Sequence, residues 1–142
     1  MIESPYMCGR IQPSLYLRFL EKDLEEQWRS GIFHPKLYVV VDTAALWHFQ
    51  QFKIPALVTS LWREWTGTGT KIHRAFRGCD LRSKHIETLA PAWEEYLNKT
   101  FPYLGKEGCT TAWLHDVGQG VHLHLQIGPL EPVPEIPASY SL

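Results

Sequence analysis

Val121-His122-Leu123-His124-Leu125-Gln126-Ile127 alternates apolar and polar side chains without a break. Because successive side chains of a strand point to opposite faces of a sheet, the pattern predicts a β-strand with one buried face. The apolar side chains share that face, while His122, His124 and Gln126 share the other face. Two imidazoles therefore project side by side from one strand. Imidazole is the commonest protein ligand for metal ions, so the stretch also suggests half of a metal site.

Neighbouring segments predict the rest of a sheet. Residues Thr110–His115 have strand character, and Asp116–Gly120 has the composition of a turn that folds this strand back onto Val121–Ile127 as a hairpin. Two further apolar runs, Leu37–Asp42 and Ile54–Thr59, are short enough for buried strands. Helical patterns lie between these strands and the last pair forms a hairpin. The sequence therefore predicts an α+β fold with a central antiparallel β-sheet and helices packed around it.

Three stretches predict helices. Residues Ser14–Arg29 repeat apolar side chains at a mostly helical period, and Ala44–Gln50 follows residues that can cap a helix. The third helix is expected from the N-cap candidate Ser83 to about Asn98, and Pro91 should kink or divide it. The segment Ile72–Ser83 between these elements is irregular in pattern and dense in charge.

Composition indicates an ordinary globular domain. The 142 residues include 44% hydrophobic and 20% charged side chains, enough for one hydrophobic core. We expect one domain over residues 1–127, followed by a Pro-rich tail over residues 128–142. The formal charge of -1 leaves no net basic field for a polyanion, which argues against nucleic acid as a partner.

The cysteines and the N-terminus bear on the cellular compartment. Three cysteines without a Cys-x-x-Cys spacing predict neither a disulfide framework nor a cysteine-based zinc site. Residues Met1–Ile11 lack the uninterrupted apolar core of a signal peptide, and no segment has the length of a membrane span. We therefore expect synthesis in the cytoplasm without integral membrane association, and release to a cell wall only through another factor.

A second half-site strengthens the metal hypothesis. His73 precedes Asp80 with six residues between them. Catalytic zinc typically takes three protein ligands from nitrogen and oxygen donors and leaves a fourth position for water or substrate. His73, Asp80 and one histidine of the His122–His124 pair would supply such a set, and the carboxylate would offset part of the charge of the ion.

These motifs resemble a known superfamily. The run Val58–Arg63, the His73-x6-Asp80 spacing and the His122-x-His124 strand are together similar to the zinc peptidases that group D-alanyl-D-alanine carboxypeptidases, lysostaphin-type and murein endopeptidases, and the hedgehog domain. The resemblance covers about Ile54 to Ile127. It implies a carboxypeptidase/hedgehog-like fold, Zn2+ as cofactor and hydrolysis of an amide bond in a peptide stem, such as that of peptidoglycan. The compact domain looks like a phage-type lysin or a phage-encoded protein of unknown role.

The resemblance also implies residue roles. His73, Asp80 and His124 would hold the metal, and His122 would stand beside the zinc-bound water. Arg63 matches the arginine of the Ser-x-x-Arg segment in many carboxypeptidase relatives, where it reaches the carbonyl or carboxylate of the substrate. It would thereby stabilise the oxyanion or anchor a carboxylate.

One departure from the family leaves the general base open. Carboxypeptidase members usually place a glutamate three residues before the last ligand, and Val121 occupies that position here. His122 is the first candidate for the base, and Asp116 and His115 are further options. The missing glutamate also keeps open a non-catalytic metal-binding or structural protein that retains the fold.

Each candidate also has a purely structural interpretation. His122 and His124 could form the solvated face of an amphipathic strand, and Asp80 could cap a helix or form a turn. Arg63 could be an ordinary surface charge. Cys79 is adjacent to a proposed ligand, but strand alternation turns it away from Asp80, so we expect a buried small side chain.

Overall fold

The computed structural model describes residues 4–6, 9–65, 67, 71–116 and 120–133. Within them the chain forms one five-stranded sheet with three α-helices, which confirms the predicted α+β class. In chain order, the elements are β1 Leu17–Phe19, α1 Lys22–Arg29, α2 Pro35–Phe52, β2 Ala56–Ser60, β3 Gly78–Arg82, a 3-10 turn Lys84–Ile86, α3 Ala90–Thr100, β4 Ala112–Asp116 and β5 Val121–Gln126.

The sheet has the strand order β1-β2-β3-β5-β4 and is mixed. Strands β2, β3, β5 and β4 pair antiparallel to their neighbours, as expected, whereas β1 pairs parallel to β2. The central strands are therefore antiparallel, as predicted, and one parallel pair is added at the β1 edge. Two helices connect β1 to β2, and such a long crossover returns the chain in the same direction.

The β4–β5 hairpin is confirmed. His115 lies opposite His122 and Trp113 lies opposite His124 in the ladder. Residues 117–119 of the connecting turn lie outside the described residues. On its other side β5 pairs with β3, where Asp80 faces His124.

Strand β3 was not recognised in the sequence. Cys79 and Leu81 are completely buried, while Asp80 and Arg82 point to the opposite face. The alternation is short, and both faces of this strand carry buried residues because Cys79 and Leu81 face the core while His73 and His124 pack against Asp80 on the other face. The strand therefore lacks the clean polar face that usually identifies one. Cys79 lies in the core, as expected.

Helix α2 replaces two predicted elements. The chain is helical from Pro35 to Phe52, so the predicted strand over Leu37–Asp42 is wrong and the helix over Ala44–Gln50 is part of a longer one. Pro35 begins the helix, and the Nδ1 atom of His34 accepts the backbone N–H of Lys36 at 3.1 Å. Burial of one continuous helical face outweighs the strand preference of the β-branched residues.

The N-terminal region also departs from the prediction. The helix expected over Ser14–Arg29 begins only at Lys22, and Leu17–Phe19 forms strand β1. The hydroxyl of Ser14 accepts the backbone N–H of Tyr16 at 3.0 Å, which closes a local turn. Pairing with β2 then satisfies the backbone of β1, a partner that a local sequence pattern cannot reveal.

Pro91 divides the third predicted helix, as expected. Residues Lys84–Ile86 form the 3-10 turn, and α3 starts at Ala90, where a proline in the first turn loses no intrahelical hydrogen bond. The indole N–H of Trp93 donates to the carbonyl of Ala44 at 3.1 Å and ties α3 to α2.

One face of the sheet packs on α2 and α3 and forms the core, with Val58, Leu81, Leu123 and Leu125 completely buried. The other face carries the polar side chains of β3 and β5. No helix in the described parts of the chain combines the length and the apolar character needed to cross a bilayer.

The start of the Pro-rich tail is attached to the domain. Arg77 donates to the carbonyl of Gly128 at 3.2 Å, and Lys36 and Glu131 form an ion pair at 2.9 Å. Residues 134–142, most of the loop 66–70 and Cys8 lie outside the described residues. What the sequence predicts for these segments therefore stays a prediction.

Buried histidines away from the polar face predict a pH-dependent stability. His34 and His48 are completely buried, and burial lowers the pKa of both imidazoles. The unfolded chain therefore binds more protons as the pH falls below about 6.5, and the free energy of unfolding decreases there. Asp42 acts in the opposite direction, because desolvation raises the pKa of its carboxyl group to about 6 and the folded chain gains a proton there. Asp42→Asn removes this opposing effect.

Urea unfolding measures this effect. We expect the urea concentration at the unfolding midpoint to decrease when the pH is lowered from about 7.5 to about 5. A midpoint that stays constant over that interval in an Asp42→Asn variant would show that neither histidine is held neutral by the fold.

Candidate metal centre

Two residues of the centre, Asp80 and His124, lie on the polar face of β3 and β5. Asp80 and His124 are paired residues in neighbouring strands, so their side chains leave the sheet on the same side. Nδ1 of His124 lies 2.8 Å from Oδ1 of Asp80. Both side chains are buried. The alternation of β5 places His124 on the polar face, and the β3–β5 register places it opposite Asp80.

His73 reaches the same point from outside the sheet. It lies in the turns over residues 72–76, and its Nε2 atom is 3.4 Å from Oδ2 of Asp80. Phe76 holds this turn with a left-handed backbone, φ 61°, and a buried ring. A Cβ atom at Gly78 would lie 3.3 Å from two ring atoms of His73, so glycine leaves the imidazole room against β3.

A backbone carbonyl fixes the tautomer of His73. Nδ1 of the ring lies 2.7 Å from the carbonyl oxygen of Leu61, which can only accept a hydrogen bond. A neutral His73 therefore carries its proton on Nδ1 and presents the lone pair of Nε2 to Asp80. This buried Nε2 atom has no hydrogen-bond partner among the described residues.

Gln126 holds the outer nitrogen of His124. The amide Nε2 of Gln126 donates to the carbonyl of Thr110 at 2.8 Å, which leaves its Oε1 atom 3.2 Å from Nε2 of His124. Both this oxygen and Oδ1 of Asp80 are acceptors, so without a metal the ring can donate from both nitrogens. A metal ion at Nδ1 would replace the proton there, while Gln126 keeps the proton on Nε2.

These contacts make the centre fit a cation. Nε2 of His73 and Nδ1 of His124 both face the Asp80 carboxylate, and such electron-rich atoms repel unless positive charge lies among them. A proton or a metal ion can supply that charge. One ligand atom from each of the three residues lies within 4.8 Å of the other two, so the buried group can hold a metal ion.

The electrostatics keep Asp80 ionised. Burial alone would raise the pKa of this carboxyl group, but the hydrogen bond from His124 and the positive charge of His124 and His73 outweigh burial and hold the pKa well below its usual range. An anionic carboxylate between two imidazoles is the state that a cation requires of its oxygen ligand.

His122 and His115 stand beside the centre. Nε2 of His122 is 3.7 Å from Oδ1 of Asp80, and its ring meets the edge of His115 with centroids 4.7 Å apart. His115 stacks on Trp113, and burial followed by the neighbouring histidine charges lowers its pKa. His115 therefore favours the uncharged form, and His122 packs against its ring.

Arg63 and Asp116 occupy different positions relative to the centre. Nη1 of Arg63 donates to the hydroxyl of Ser60 at 2.9 Å and lies 3.7 Å from Oδ2 of Asp80, so the guanidinium borders the centre. Asp116 ends β4 and accepts the backbone N–H of Gly120 at 3.1 Å. Strand alternation directs Asp116 away from the face that carries His115 and His122. The structure does not bring Asp116 into the cluster.

A groove opens next to the centre. Its volume is about 330 Å³, and its polar lining includes Ser60, Arg63, Asp80, Arg82, Lys84 and His122. His122 thus faces the groove with one side and the ligand group with the other. A substrate that enters the groove meets Asp80 at its inner end.

Sequence reasoning missed the groups that orient the ligands. Leu61 acts through its backbone carbonyl, for which the side chain gives no signal. Gln126 could have been found, because the alternation places it on the same strand face as His122 and His124. The contact between Gln126 and Thr110 depends on the β4–β5 register and is visible only in the fold.

Replacing Gln126 with leucine is expected to weaken metal binding by about 10- to 100-fold, the usual effect of losing an outer hydrogen-bond partner of a ligating histidine. Without the acceptor, His124 is free to place its proton on Nδ1, where it blocks ligation. Competition with a chelator of known affinity measures the change. Glutamate at this position keeps an acceptor oxygen and is the matched control, and equal affinity of the leucine variant and wild type would contradict the role.

Comparison with known proteins finds no matching family model, no similar curated protein and no similar solved structure. The resemblance to zinc peptidases therefore rests on the order and spacing of the motifs.

Proposed function

We propose that the protein is a zinc-dependent peptidase that hydrolyses an amide bond in a peptide stem such as that of peptidoglycan. The observation that carries the proposal is the buried His73–Asp80–His124 group, whose three ligand atoms lie within 4.8 Å of one another beside an open groove. The order and spacing of the motifs, shared with the zinc peptidase superfamily, point to the same chemistry. Action on a cell wall would require delivery by another factor.

Zinc is the metal that suits this donor set. Two imidazole nitrogens and one carboxylate oxygen are the ligands of many catalytic zinc sites, which keep a fourth position for water or substrate. A bound Zn2+ ion acts as a Lewis acid and lowers the pKa of a coordinated water to about 7. Leu61 and Gln126 contribute by holding the two imidazoles in the ligating tautomers.

His122 is the group placed to move the proton. It borders both the ligand group and the groove, and its side chain is 16% exposed, enough for contact with a substrate or water there. Imidazole accepts and returns protons near neutral pH, so His122 can take a proton from the attacking water and pass it to the leaving amine. His122 would thereby take the role of the family's glutamate, whose position Val121 occupies here.

Arg63 is placed to stabilise negative charge on the substrate. Its guanidinium is held by Ser60 at the rim of the groove and remains more than half exposed. A planar fork of donors in this position can face the oxygen that gains charge when the amide carbonyl is attacked.

The second candidate is a metal-binding protein without hydrolytic activity. It is favoured by the absence of any carboxylate other than Asp80 from the groove, as far as the described residues extend. If His122 cannot serve as the base, the centre would bind a metal and leave the peptide intact.

Metal content and hydrolysis separate these functions. We expect about one zinc per chain by elemental analysis, and release of amines from peptidoglycan that stops on chelation and returns with Zn2+. Bound zinc without amine release would favour the second candidate. A purified protein that takes up no metal would refute the centre itself.

Replacing Arg63 with alanine is expected to lower kcat by about 100- to 1,000-fold, the effect of removing one oxyanion donor, with zinc retained. Arg63→Lys keeps the charge but loses the fork of donors and should recover only part of the rate. The comparison uses initial rates of amine release at equal zinc occupancy. An unchanged rate in the alanine variant would remove Arg63 from the mechanism.

A further inference from the structure

The groove beside the centre is rich in positive charge. Arg63, Arg82 and Lys84 line it, and Asp80 is the one carboxylate among its described lining residues. Neither Arg82 nor Lys84 has a carboxylate partner within 4.0 Å in the described parts of the chain. Arg82 and Lys84 are therefore left without a protein counter-ion, whereas Arg63 borders Asp80.

The sheet places Arg82 in line with the centre. Arg82 lies two residues after Asp80 on β3, on the same face, and directly opposite His122 on β5. Two residues along a strand span about 7 Å. Lys84 follows in the 3-10 turn and is exposed at the groove. The positive side chains of Arg82 and Lys84 thus lie beyond Asp80, next to His122, the proposed proton carrier.

The charge of the groove contrasts with that of the whole chain. The protein carries a formal charge of -1, yet this groove has three cationic side chains against one carboxylate that already faces two histidines. A divalent cation at the centre would add further positive charge. Like charges gathered at a partly buried surface repel one another, and an anionic ligand relieves that repulsion.

We propose that Arg82 and Lys84 form a subsite for a carboxylate of the substrate, so that the substrate is an acidic peptide with its carboxylate within two residues of the scissile amide. This inference rests on the proposed peptidase function. An extended peptide advances about 3.3–3.6 Å per residue, so one or two residues cover the distance from Asp80 to Arg82. The guanidinium binds a carboxylate through two parallel hydrogen bonds, and the ammonium group adds a point charge.

The test uses pairs of short acetylated peptides that differ only in charge. One pair compares a glutamate with a glutamine side chain, and the other compares a free C-terminus with an amide. Binding to the full chain is measured by calorimetry with Zn2+ and after chelation, and hydrolysis of the same peptides is followed in parallel. We expect the acidic member of at least one pair to bind about tenfold more tightly, with a preference that shrinks as the salt concentration rises.

Variants locate the subsite. Arg82→Gln should weaken binding of the acidic peptide about tenfold and Lys84→Gln about threefold, with little change for the neutral peptide. Arg82→Lys retains the charge and should keep part of the preference, which also controls for disruption of β3. Lys99→Gln on α3 removes an exposed cation paired with Glu95 and should change nothing.

Several outcomes would overturn the subsite: equal binding of acidic and neutral peptides, no binding of either, or an Arg82→Gln variant that keeps the preference. Tighter binding of inorganic phosphate than of the acidic peptide, lost in Arg82→Gln, would overturn it in favour of a phosphate ligand. Hydrolysis without an acidic preference refutes the subsite alone. An acidic preference that depends on Arg82, without hydrolysis in either pair, supports the carboxylate subsite and refutes the peptidase function.

Discussion

Replacing His124 with alanine is expected to abolish stoichiometric metal binding. The substitution removes one of three convergent donors, so the affinity should fall by more than the roughly 10- to 100-fold that accompanies loss of an outer hydrogen-bond partner. Elemental analysis after dialysis and competition with a chelator measure the change. His122→Ala, two residues away on the same strand face, is the matched control and should keep the metal.

The alanine variant also removes a buried partner of Asp80. Leaving a buried carboxylate with fewer basic neighbours destabilises a fold by up to about 3–5 kcal/mol, so loss of metal must be separated from unfolding. Circular dichroism provides that check, and His73→Ala tests the same centre from a turn outside the sheet. If both variants are folded and still hold one metal per chain, these residues are not its ligands.

Replacing His122 with alanine is expected to lower kcat by about 100- to 10,000-fold while the protein keeps its metal. The imidazole touches the ligand group from the groove side, and its loss removes the proton carrier but none of the three convergent donors. Rates of amine release at equal metal occupancy measure the defect.

Added imidazole provides a second readout for His122. A small base that enters the space left by the side chain should restore part of the rate in His122→Ala and leave the Arg63→Ala variant unchanged. Rescue of this kind is expected for a missing proton carrier and not for a misfolded site. Full activity of the His122→Ala variant without added imidazole would exclude His122 as the base.

Local sequence patterns predicted the hairpin and its polar face. Strict alternation over Val121–Ile127 determines which side chains share a face, and β4 and β5 form where the apolar runs and the turn composition indicate them. Pro91 divided its helix for an equally local reason, since the missing N–H group is a property of the residue itself.

Errors arose where partners distant in sequence determine the structure. The β-branched run Leu37–Asp42 is helical because α2 buries one continuous face against the sheet. Leu17–Phe19 is a strand because its backbone pairs with the edge of β2. Strand β3 forms because its backbone pairs with β2 on one side and β5 on the other. Burial and pairing of this kind override local preference.

The sequence by itself determined the residue types of the candidate centre: the His73-x6-Asp80 spacing and the split between His122 and His124 on one strand face. Only the tertiary structure decided that these side chains meet. The β3–β5 register pairs Asp80 with His124, a turn brings His73 over the same face, and the acceptors at Leu61 and Gln126 select the tautomers. The physical reason is that a side chain's chemistry is local, whereas the positions of its lone pairs depend on hydrogen-bond partners that only the folded chain brings close.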